Sequence, residues 1–204
     1  MTLPVLLLLV GFAYIVLFGG LSLLRREGLS LRFALEAVVF TGLVSGLTAL
    51  TGLSIHPVFF LLGLYLITMR VRLLVDIGTL FARRGRFSQA ERVYQLAARL
   101  WPDLSGSLVL KVNRATALLQ SGKLDQAIAV FKETLDQKDS GFLGRKYEAA
   151  AHYNLGVAYL RKGQDAPATV AFNSAIDTLP ASEYARRAAR ALEKQQHKSD
   201  KEST

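Results

Sequence analysis

Cysteine is absent from the 204 residues. That excludes a disulfide framework, a thiolate metal site and a cysteine nucleophile. Histidine is scarce: His56, His152 and His197 fall in separate segments, so no metal site is expected. No G-x-x-x-x-G-K-[ST] occurs, and "GFLG" (141–144) is no phosphate cradle. Catalytic residues, cofactors, bound metals and a small-molecule substrate are therefore not expected, and the chain does not read as an enzyme. Charge is nearly missing from the first third, where residues 1–69 carry only Arg25, Arg26, Glu27, Arg32 and Glu36.

What is present there is apolar length. "LPVLLLLVGFAYIVLFGGLSLL" (3–24) has no charged residue. As a helix it would reach about 33 Å, enough for a hydrocarbon core of about 30 Å. A cleaved signal peptide would open on positive charge and close on small residues. This run opens bare and closes on Arg25 and Arg26, which favours an uncleaved span. "FALEAVVFTGLVSGLTALTGL" (33–53) is a second candidate, with Glu36 four residues after Arg32 and able to pair with it. Gly42 and Gly46 form G-x-x-x-G, a spacing that lets helix backbones approach closely in lipid. They are expected to pack against the first or third helix, with homodimerisation as the second choice. Pro57 suits the first turn of a third helix. This third span, about 57–75, must pass Arg70 and Arg72; it either runs on into the helix that follows or is a re-entrant or interfacial segment.

Arginine marks the sides. The 25–32 segment holds three arginines, the 54–57 turn has no Lys or Arg, and Arg70, Arg72, Arg83, Arg84 and Arg86 follow. Positive segments stay in the cytoplasm. Three spans satisfy this with the N-terminus outside and everything after residue 69 inside, as at a bacterial inner membrane or its equivalent. The formal net charge of +9 lies mostly in this later part. It reads as a solvated face with positive-inside bias rather than a nucleic-acid surface.

The later part repeats. Residues 71–102 laid over 149–180 align Gly78, Phe81, Gly85, Ala90, Tyr94, Ala97 and Pro102 with Gly156, Tyr159, Gly163, Ala168, Phe172, Ala175 and Pro180. A middle copy holds Ala115, Leu118, Gly122, Ala127 and Phe131 at the same offsets. Glycine inside a helix costs about 1 kcal/mol against alanine, so these positions need to be small. Gly156 and Ala168 fit where two antiparallel helices cross, Tyr159 and Phe172 fill the space beside them, and Gly163 turns the chain. Asp165 can cap the second helix, and Pro180 stops it. "SEYARRAARALEKQQ" (182–196) closes the stack with Ala185, Ala188, Ala189 and Leu192 inward, and Arg186, Arg187, Arg190 and Lys194 outward. Residues 198–204 read as a disordered tail.

These offsets resemble the tetratricopeptide repeat family, over repeats at about 71–104, 108–141 and 149–182. The spacing departs from the family's period of about 34 residues. Seven extra residues fall in 136–148, to be absorbed by a longer helix or a loop. The resemblance implies an all-α chain: N-terminal transmembrane helices (1–69), then an α-solenoid of three helix pairs and a capping helix (70–197), as in a membrane-anchored bacterial member of the family.

The resemblance also implies a protein partner, a peptide or helix held on the concave face by the first helix of each pair. Carried over, that face is Arg72, Val75, Thr79 and Arg83 in the first copy and Val109, Val112, Asn113, Thr116 and Gln120 in the second. The third contributes Tyr153, Asn154, Val157 and Arg161, and Val112 and Val157 are the readiest to pack between repeats instead. Of the residues with which some members grip a C-terminal carboxylate, only Asn113 is matched, which disfavours that mode. The expected function is a membrane-anchored adaptor at the cytoplasmic face, assisting assembly of a membrane complex. The alternatives are a permanent structural subunit and, of another class, a transport component using Glu36.

Overall fold

The computed structural model describes residues 2–24, 31–140 and 143–202. Helix is the only regular secondary structure among them, and the chain divides into two compact units, Met1–Leu73 and Leu74–Thr204. Residues 25–30, with three of the five charges of the first third, lie outside the described residues.

The first unit is built from α1 (Leu3–Leu24), α2 (Leu31–Thr51) and α3 (Pro57–Thr68). Among the described residues, two helices are long and apolar enough to cross a membrane, through Leu3–Gly20 and Leu31–Thr51. Their outer surfaces are greasy, with Phe12, Leu17, Leu43 and Leu50 exposed. Leu7, Tyr14, Ala37, Phe60 and Leu64 form the core between them, and Phe40 stacks on Phe60 at 5.8 Å. The packed face of α2 is Ala37, Thr41, Ser45 and Thr48, with Thr41 filling the space beside Gly11. Gly42 and Gly46 are not in that face, against expectation: both are exposed, with nothing within 4 Å of where a Cβ would stand. One residue along a helix is a rotation of about 100°, so turning Thr41 and Ser45 inward turns their neighbours out.

The third span does not run unbroken to residue 75. α3 begins as expected, with Pro57 in its first turn and the His56 imidazole accepting from the Val58 N–H at 3.3 Å. It ends at Thr68, and α4 (Arg70–Arg83) starts after a break at Met69. Arg70 fixes the break, donating to the Ile67 carbonyl at 2.6 Å and to both Glu36 oxygens at 2.5 and 2.8 Å. Arg32 donates to the same carboxylate at 3.1 Å. Only if α3 and α4 together count as one broken span does the number of candidates reach three.

The second unit stacks three antiparallel pairs, α4 with α5 (Phe87–Arg99), α6 (Leu104–Gln120) with α7 (Leu124–Asp136), and α8 (Arg145–Arg161) with α9 (Asp165–Thr178), closed by α10 (Glu183–Glu202). The small residues do what their spacing implied. A Cβ on Gly156 would lie 2.7 Å from two atoms of the Phe172 ring, and one on Gly78 would lie 2.5 Å from Tyr94. Ala90, Ala97, Ala127, Ala168 and Ala175 are all fully buried. Gly122 and Gly163 turn the chain between helices at φ +81° and +72°, where only glycine avoids a steric cost. Pro102 and Pro180 stand just beyond α5 and α9.

Two local expectations are corrected, and one choice left open is decided. Asp165 is the first residue of α9 rather than its cap, and no side chain caps that end. Of the two alternatives for the extra residues, those described form a loop rather than a longer helix. Within it Leu143 is buried and Lys138 bonds Glu148 at 2.5 Å, while 141–142 lie outside the described residues. The tail is helical as far as Glu202, because 193–202 holds no glycine or proline to stop α10.

Candidate protein-binding groove

The first helices of the pairs, α4, α6 and α8, carry the residues expected to meet a partner, and many of these bond to one another. The Thr79 hydroxyl lies 2.8 Å from the Val75 carbonyl, 3.3 Å from Asn113 Oδ1 and 3.2 Å from the Tyr94 hydroxyl. With one proton it donates to one acceptor while Tyr94 donates to it. Burial pushes the Tyr94 phenol above its usual range, against the opposing effect of its hydrogen bond with Thr79, and the phenol stays a neutral donor. Asn113 Nδ2 donates to the Val109 carbonyl at 2.8 Å. Between the next two repeats Asn154 Nδ2 donates to Thr116 Oγ1 at 3.1 Å, and Arg161 donates to the Leu119 carbonyl at 3.1 Å.

These positions form a polar seam that sets repeat against repeat. A buried amide or hydroxyl left unpaired costs about 1–3 kcal/mol, so each bond fixes the spacing of neighbouring helices. Val75, expected on the open face, is 4% exposed and belongs to the core, since its turn of α4 faces the partner helix. Val112 is buried likewise, and Val157 packs partly against the core, as suits residues between repeats. Arg72, Arg83 and Gln120 are exposed.

An open cleft lies at the C-terminal end of the stack. Tyr153, Val157 and Leu160 of α8 and Phe172 of α9 give it an apolar floor, and Arg187, Arg190 and Lys194 of α10 give it a basic edge. Its volume is about 1100 Å³, above the ~300–1,000 Å³ of small-molecule pockets and suited to a length of polypeptide. The Tyr153 ring stands 5.9 Å from Phe172 and 6.1 Å from Tyr184, which holds it against the floor. Arg187 pairs with Glu183, whereas Arg190 and Lys194 have no ion partner among the described residues. Of the expected groove residues, Tyr153 and Val157 line this cleft. Sequence reasoning put the α10 cations in water but missed that α10 takes the place of a fourth first helix, so that they edge the same face.

Residues 106–181, from α6 to the end of α9, match the family model described as tetratricopeptide repeat. That stretch carries tetratricopeptide repeats. No curated protein and no solved structure matches the chain. The repeats mark it for protein–protein interaction or scaffolding, a fold of binding rather than catalysis. Among the described residues no group of three or more His, Asp or Glu could hold a metal ion.

Proposed function

We propose that this protein is a membrane-anchored scaffold whose repeat unit binds a segment of a partner protein at the cytoplasmic face, in support of assembling a membrane complex. One observation carries the reading: a single chain joins two helices able to cross a bilayer to a repeat stack with an open, apolar-floored cleft. Anchoring would raise the local concentration of that cleft near membrane partners. With the bent α3–α4 pair as a third crossing, the arginine-rich segments support a cytoplasmic repeat unit with the N-terminus outside. The transport reading is weaker, because two guanidinium groups hold the Glu36 carboxylate.

The test uses the full chain in its own membranes, with a photocrosslinking residue in place of Val157. The expected result is a chain that resists carbonate extraction and a discrete adduct with one membrane protein. That adduct should be lost with Arg190→Glu and Lys194→Glu together. Release by carbonate would remove the anchor from the proposal. An adduct indifferent to the charge reversals would remove the cleft.

A further inference from the structure

Helix α5 ends at Arg99, Leu100 closes its last turn, and Trp101 follows in the left-handed region at φ +48°. Glycine is the usual residue there, since a side chain crowds its own backbone in that conformation. Trp101 is the one non-glycine residue with positive φ among the described residues, and the chain has a single tryptophan. Packing within the unit does not explain it, because Trp101 is 75% exposed. Leu96 on α5 and Leu104 at the start of α6 are exposed beside it in sequence, at 48% and 55%. Arg92 and Arg99, four residues before and three after Leu96, share its helix face. Both are exposed, and neither has an ion partner among the described residues.

We infer that Leu96, Trp101 and Leu104, flanked by Arg92 and Arg99, form a peripheral contact that seats the repeat unit on the headgroup layer of an anionic bilayer. The indole ring is apolar with one polar N–H, and that combination favours the membrane–water interface. A strained residue persists where something outside its own backbone compensates, and three quarters of Trp101 is left open within the unit. The two cations complement anionic headgroups, an attraction that acts within a Debye length of about 8–10 Å. The inference rests on membrane anchoring only to bring the unit to a bilayer, which co-migration of the chain with vesicles measures separately.

The lone tryptophan is its own reporter. The full chain is reconstituted into vesicles containing phosphatidylserine, or into vesicles of phosphatidylcholine alone, with lipids brominated near the headgroup in either case. The expected result is blue-shifted Trp101 emission quenched by the brominated lipid in the anionic vesicles. Arg92→Gln and Arg99→Gln should each lower the surface-bound equilibrium about fivefold. Emission typical of water in both vesicles, from a chain that co-migrates with them, overturns the inference. So does blue-shifted emission without quenching, which would place the indole against protein. Equal quenching in the two vesicles overturns the role of the arginines.

Discussion

Gly156→Ala tests the idea that small side chains set the helix spacing. The fully buried Phe172 ring stands where the new methyl would go, with two ring atoms 2.7 Å from it. That is roughly 0.8 Å inside the ~3.5 Å at which carbon atoms rest. The ring cannot yield cheaply, because Tyr153 lies 5.9 Å away on one side and the buried Ala168, Ala175 and Ala188 complete its cluster. Alanine gains about 1 kcal/mol of helix propensity. Overpacking costs about 1–3 kcal/mol, so a net loss of up to ~2 kcal/mol is expected. With a urea dependence of about 1–3 kcal/mol per molar, the midpoint should fall by up to about 0.7–2 M. The assay is urea titration of the whole chain in nonionic micelles, followed by circular dichroism. Phe172→Leu, which takes the ring away, should turn the same alanine from a cost to a gain. A midpoint for Gly156→Ala at or above the parent's, with no coupling to Phe172→Leu, refutes the reasoning.

The other predictions concern titration, topology and the strained turn. Burial holds the His152 imidazole below its ordinary value of 6.5, with Glu148 pulling the other way and Lys138 adding to the shift. The unfolded chain therefore takes up this proton first, and stability is full above about pH 6.5 and falls as pH drops toward the lower folded value. His152→Gln should flatten that part of the stability profile; an unchanged slope assigns it to other groups. Because the chain has no cysteine, single thiols at Ser54 and Asn173 can be probed cleanly with an impermeant reagent. They should label from opposite sides of the membrane, and labelling from one side excludes three crossings. Trp101→Gly should stabilise the fold by about 1 kcal/mol, read as a higher urea midpoint, by relieving the left-handed side chain. A lower midpoint would mean that the indole packs within the unit after all.

The repeat register was legible in the sequence alone. Glycine, alanine and aromatic residues recur at fixed offsets because every helix crossing needs the same small contact, so spacing records packing directly. The two long apolar helices were equally plain, since length and the lack of charge suffice to define them. Tertiary structure decided what depends on a neighbour's position. It turned Thr41 and Ser45 inward and Gly42 and Gly46 outward, a choice of face that an all-apolar helix leaves open. It brought Arg70 to Glu36 and broke the third helix at Met69, across a separation no local pattern encodes. The bonds from Thr79 to Asn113 and from Asn154 to Thr116, and the basic edge that α10 gives the cleft, have the same cause. A period fixes which residues recur. Which side chains then meet depends on the rotation and stacking of whole helices, and those are set only when the pieces pack.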